Sequence, residues 1–203
     1  MLRSVFSRWD RLKVLKNKKT IVFSWAFPVE MTASELDENW INPRKYKYEI
    51  QLNSLGIYDI KHVNCYKDSF SDIMKCINES GLIILMGGNP HMLKQKLNSY
   101  RKAIKNFKGL IIGESAGALI FFDNYFITKQ NSFIKKFEEL EGFDNFKLDF
   151  LIDVHSKWDE DYIKKIKSLA KKYNKNIIML DDDSVLFYGD MELIGNAKII
   201  IPY

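Results

Sequence analysis

An α/β fold built on a mainly parallel sheet is predicted by three features of this chain. Short apolar runs alternate with longer stretches of helical periodicity. Glycines close those helical stretches, at Gly56, Gly81 and Gly109. The apolar run Leu110-Ile111-Ile112 leads straight into the small-residue turn Gly113-Glu114-Ser115-Ala116-Gly117-Ala118. Strands separated by helices need right-handed crossovers, and those crossovers make neighbouring strands parallel.

Taken in order, residues 1–18 form a basic, amphipathic lead-in, and 19–203 a single domain. Residues 20–25 suit a buried strand, 40–55 a helix capped by Gly56, and 59–64 a second strand. Residues 71–79 suit a helix, and 82–86 a third strand that stops at Gly87-Gly88-Asn89-Pro90. A helix over 92–107 and the strand 110–112 follow, with helical character again through Leu119-Ile120-Phe121-Phe122. The second half offers strand 150–152, helix 159–173, strand 177–180 and a hairpin-like end. That end runs over 184–188, a turn at Gly189-Asp190, then 191–194 and 198–201. No repeat, linker or low-complexity segment interrupts the chain.

Composition narrows the function. With 203 residues, 46% of them hydrophobic, the chain suffices for one sizeable core. It has no apolar run of the roughly 18 residues that a membrane helix needs, and its N-terminus makes a poor signal peptide. Two cysteines, Cys65 and Cys76, suggest reduced thiols in a cytoplasmic protein. The net charge of +5 comes from lysines spread over 94–108, 135–136 and 164–175, beside Asp and Glu. Such lysines read as solvated helix faces rather than a nucleic-acid surface. No phosphate loop or dinucleotide fingerprint is present, so no cofactor is expected. Asp181-Asp182-Asp183 reads as a turn after a buried strand rather than a metal site.

The chemistry is concentrated in the turn around Ser115. A glycine-flanked serine between a strand and a helix is the recipe for a nucleophile elbow, which exposes the serine oxygen above the sheet edge. A serine nucleophile needs a base, and histidine is the usual one. The chain has three: His62, His91 and His155. His155 follows strand 150–152 at the edge where Ser115 is expected, and it is the only histidine downstream of the serine. His91, near Gly87-Gly88, is its rival, while His62 beside the second strand reads as structural. An oxyanion hole needs two convergent N–H groups. The Ala116 amide is the expected first donor and Gly88 the second, because glycine lets backbone approach a substrate closely.

Gly87-Gly88-Asn89, Gly113-Glu114-Ser115-Ala116-Gly117-Ala118 and the later His155 together resemble the peptidase E family of serine peptidases, a group that includes cyanophycinase. The resemblance spans about residues 19–195. It implies a three-layer sandwich of the class I glutamine amidotransferase kind, with serine where amidotransferases carry cysteine. It further implies hydrolysis of short peptides, those with an N-terminal aspartate in peptidase E itself. Ser115 would be the nucleophile, His155 the general base, and Gly88 and Ala116 the oxyanion donors.

Two positions depart from that family. Where its members carry an acidic residue downstream of the serine, this chain has Gln130, which would orient His155 through its amide oxygen. Asp123, Glu138, Glu139 and Asp153 are nearby carboxylates and candidates to substitute for it, although each alone reads more simply as solvated loop charge. After His155 the chain offers only lysines, and all five arginines lie at or before Arg101, so an arginine for a substrate carboxylate is missing there. These departures motivate one alternative, a catalytically silent binding protein that kept the fold. An esterase of the α/β-hydrolase kind is another, although its histidine would lie nearer the C-terminus. A homodimer is one arrangement open to such a domain, and nothing in the sequence fixes it.

Overall fold

The computed structural model describes residues 15–128, 138–143 and 148–202. The chain divides into two compact units, one ending at Ile120 and one running from Phe121.

The first unit is built on a four-stranded parallel sheet, in the order β2-β1-β3-β4. Its strands are β1 (Thr20–Phe23), β2 (Ile60–Val63), β3 (Leu82–Leu85) and β4 (Leu110–Gly113). Thr20 pairs with both Ile60 and Leu82, and Leu82 with Leu110, so all four strands start in step. Every residue of β1 and β3 is buried, as continuous apolar runs in a parallel sheet require.

The chain between β1 and β2 opens with a capping box, in which Thr32 and Glu35 satisfy each other's backbone N–H. A short turn, Ala33–Glu35, runs on through π-helical Leu36–Ile41 into α1 (Asn42–Ser54). Pro43 explains the slip. It has no N–H to give to the preceding turn, and the bond before it lengthens, so that Asn42 N–H reaches Asp37 O.

Helix α2 (Phe70–Glu79) is capped by Ser69 and buries Ile73 and Ile77. Helix α3 (Pro90–Leu97) is capped by Asn89, whose side chain accepts from the His91 and Met92 amides. The single helix expected over 92–107 is broken. A 3₁₀ turn, Asn98–Tyr100, separates α3 from α4 (Arg101–Lys105) at Asn98 and Ser99, residue types whose side chains compete for backbone hydrogen bonds. After β4 comes α5 (Ala116–Leu119), a single turn that ends before the apolar residues expected to extend it.

The second unit holds a three-stranded sheet in the order β11-β8-β7. Strands β7 (Phe150–Val154) and β8 (Asn176–Leu180) are parallel, joined by α6 (Glu160–Tyr173). Asp159 caps α6, and Asn174 ends it in the left-handed conformation. Strand β11 (Ala197–Ile200) pairs antiparallel with β8. The expected hairpin is confined to β9 (Val185–Phe187) and β10 (Glu192–Ile194). A second two-stranded antiparallel sheet, β5 (Asn124–Ile127) and β6 (Glu138–Glu141), was not foreseen in the sequence. Among the described residues, no helix is long and apolar enough to cross a membrane.

Candidate active site

Strand β4 delivers the chain to Ser115 at the carboxyl edge of the first sheet, where ligands of α/β folds bind. Ser115 has φ 50° and ψ −110°, a strained conformation for a residue with a side chain. The carbonyl of Ser115 accepts from the amides of Ala118 and Leu119 at 2.9 and 3.0 Å, so the strained residue starts the helix. Gly117 is fixed by contact: a Cβ there would lie 2.1 Å from the Leu85 carbonyl oxygen. This is the geometry of a nucleophile elbow.

The turn after β3 lies alongside. A Cβ on Gly87 would stand 3.1 Å from that of Ser115. Gly88 has φ +140°, and a Cβ on it would collide with the Ala26 carbonyl oxygen at 2.0 Å and meet Trp40 at 3.0 Å. The next amide, Asn89 N–H, is anchored to that same Ala26 oxygen at 2.7 Å. Among the described residues, neither the Gly88 nor the Ala116 amide has an acceptor. Two uncommitted N–H groups on adjoining turns are the raw material of an oxyanion hole.

Helix α1 and the π-helical turn before it bring a second set of groups to this place. The Tyr48 hydroxyl donates to Glu114 Oε2. Burial, with the neighbouring Glu114 carboxylate, pushes the Tyr48 hydroxyl far above its ordinary range, so it stays protonated. The Arg44 guanidinium lies 3.4 Å over the Trp40 ring, and its Nη1 donates to the Trp40 carbonyl at 3.1 Å. Burial pulls the Arg44 pKa down, against the influence of Tyr48 and Glu114. The sequence reading did not single out this cluster. The four-residue spacing of Trp40, Arg44 and Tyr48 was the available signal.

The other two histidines of the chain that the sequence reading weighed also lie in the first unit. His62 on β2 is pushed down to about 4 by burial and then by Lys45, which keeps it neutral. His91 is exposed on the first turn of α3.

In the second unit His155 follows β7 directly, with φ 59°. Its ring Nδ1 is hydrogen-bonded to Asp182 Oδ1. An ionised carboxylate only accepts, so Nδ1 carries the proton and Nε2 is left as the basic nitrogen. Asp182 comes from the turn after β8. The Asp181-Asp182-Asp183 segment is indeed a turn: Asp181 Oδ1 accepts from Asp183 N–H at 3.1 Å and Ser184 Oγ–H at 2.6 Å. The sequence reading missed that its middle residue reaches His155. Among the described residues, no three His, Cys, Asp or Glu side chains gather as a metal site.

The other carboxylates weighed for that role include two with partners of their own. Glu139 is held by Lys172 at 2.6 Å and by the Tyr173 hydroxyl. Asp153 is 2% exposed and accepts from Ser156 Oγ–H at 2.5 Å and Tyr162 O–H at 2.9 Å. Burial pushes the Asp153 carboxyl up to about 6, opposed by those two hydrogen bonds and by His155. Gln130 lies outside the described residues.

The family model of Peptidase family S51 matches residues 32–194, well over half of the chain. No curated protein matches the sequence. Among solved structures, a protein provisionally named peptidase E from Listeria monocytogenes EGD-e is similar at TM-score 0.61 and 22% identity, over 91% of this chain and 87% of that one. A peptidase from an acI-B1 Actinobacterium is similar at TM-score 0.61 and 17% identity, over 99% of this chain and 88% of that one. At these identities the two structures speak for the fold, a parallel sheet flanked by helices.

Proposed function

Since this chain belongs to Peptidase family S51, and is therefore a serine-type peptidase, we propose that it hydrolyses short peptides with Ser115 as nucleophile and His155 as general base. The observation that carries this reading is the backbone of Ser115, a strained elbow between β4 and α5 that an ordinary turn has no reason to maintain.

Ser115 Oγ attacks the scissile carbonyl as His155 Nε2 takes its proton. The tetrahedral oxyanion is received by the Gly88 and Ala116 amides, which have no acceptor among the described residues. His155 then returns the proton to the leaving amine, and water releases the acyl-enzyme. Asp182 orients the imidazole and stabilises its charged form, the part expected of Gln130. A carboxylate on Nδ1 answers one of the two motives for a silent binding protein, the glutamine at position 130, and leaves the other, the arginine missing after His155. The free thiols of Cys65 and Cys76 fit a reducing, cytoplasmic setting.

Amine release from a dipeptide library, with wild type beside Ser115→Ala, tests this reading. Turnover by wild type that falls by at least about 10⁴-fold in kcat for the variant is expected. A Ser115→Ala protein that keeps its turnover would assign the chemistry elsewhere.

A further inference from the structure

We propose that Arg44 is a substrate-binding residue that docks a carboxylate of the peptide. This rests on the reading above for the identity of the ligand. Arg44 is half-buried, its guanidinium flat on Trp40 and tied by Nη1 to the Trp40 carbonyl. Trp40 in turn abuts Gly88, and a Cβ added there would lie 3.0 Å from its ring. The guanidinium is therefore held beside the turn that carries one of the two uncommitted amides.

No carboxylate among the described residues stands within ion-pair distance of Arg44. Glu114 is the anion that acts on it from nearby, but Glu114 takes its hydrogen bond from Tyr48 instead. A half-buried cation with no carboxylate in direct ion-pair contact gains from an anionic ligand that supplies that contact. An arginine that served only solubility would extend into water. This one is stacked and hydrogen-bonded, so the entropy of ordering it is spent before the ligand binds. Its planar fork is suited to two oxygens at once. The π-helical slip at Pro43 contributes to this placement, because it sets the register in which Arg44 follows Trp40.

A peptide offers such a carboxylate on an acidic side chain or at its free C-terminus. Calorimetric titration of the Ser115→Ala protein measures binding without turnover. Four peptides separate the sources: Asp-Leu, Asn-Leu, and the C-terminal amide of each. Replacing the docked carboxylate by its amide is expected to weaken binding about 10- to 100-fold. The weakened pair identifies which carboxylate is docked.

In Ser115→Ala/Arg44→Gln, which keeps most of the stem on Trp40, that discrimination is expected to disappear. Should this variant unfold, Ser115→Ala/Arg44→Lys keeps the charge without the fork, and most of the discrimination is expected to be lost there too. Equal or undetectable binding of all four peptides, or discrimination that survives the Arg44 substitutions, overturns the proposal. Wild-type turnover of the same peptides is read separately. Carboxylate-selective binding without turnover sinks the peptidase reading and leaves Arg44 as a carboxylate site.

Discussion

His155 is held by its neighbour across the sheet rather than along the chain, and that neighbour decides its chemistry. With Asp182 on Nδ1, the imidazole leaves Nε2 as the nitrogen for the proposed general-base role. Asp182→Asn keeps the shape, but its amide NH₂ can donate to Nδ1 and so favour the wrong tautomer. The side chain of Asp182 is 77% exposed, so water screens part of its charge. A fall in kcat of about 10²- to 10³-fold with little change in KM is expected, somewhat less than for a buried triad aspartate. Steady-state kinetics of Asp182→Asn beside Gln130→Ala will divide the two assignments. If Gln130→Ala lowers kcat and Asp182→Asn does not, the orienting role returns to Gln130.

The elements that carry the site were legible where glycine and apolar runs punctuate the chain. Strands β1, β3 and β4 announced themselves as runs built on consecutive Ile, Leu, Val and Phe, and the elbow as a serine between glycines. Three features were hidden. The π-helical turn depends on how a missing N–H at Pro43 is accommodated, which a hydrophobic pattern does not record. Strand β5 follows aromatic residues that fit a helix as well as a strand, and only its pairing with β6 decides between them. Asp182 lies 27 positions from His155, and nothing local links them. The parallel pairing of β7 with β8 creates that contact by setting Val154 against Leu180. Gly88 was legible for a simpler reason than catalysis, since the chain cannot pass Ala26 with a Cβ there. Gly88→Ala therefore forces the turn after β3 to move. We expect a loss of stability of more than about 1 kcal/mol in urea titration, together with a larger fractional loss of kcat than of substrate binding. An alanine variant with unchanged kcat would remove Gly88 from the proposed oxyanion hole.

At the scale of the whole molecule, the buried carboxyl of Asp153 should make stability depend on pH. The sequence reading weighed Asp153 as a partner for His155, and its hydrogen bonds show it tied instead to Ser156 and Tyr162. Its folded pKa, about 6, lies above the usual aspartate value of 3.8. Between those two values the folded chain binds a proton that the unfolded chain has lost. The group's contribution is thus fully present below about pH 4 and is lost as pH rises through 6. Two pK units correspond to about 3 kcal/mol, with little solvent screening to discount at 2% exposure. Asp153→Asn removes the titration while keeping the shape. Whatever constant offset the lost hydrogen bonds impose, its stability relative to wild type should rise between pH 4 and 7 and level off above. Urea unfolding of both proteins across that range measures the difference directly. A difference that stays flat from pH 4 to 8 would mean that Asp153 ionises in the fold as it does in the open chain.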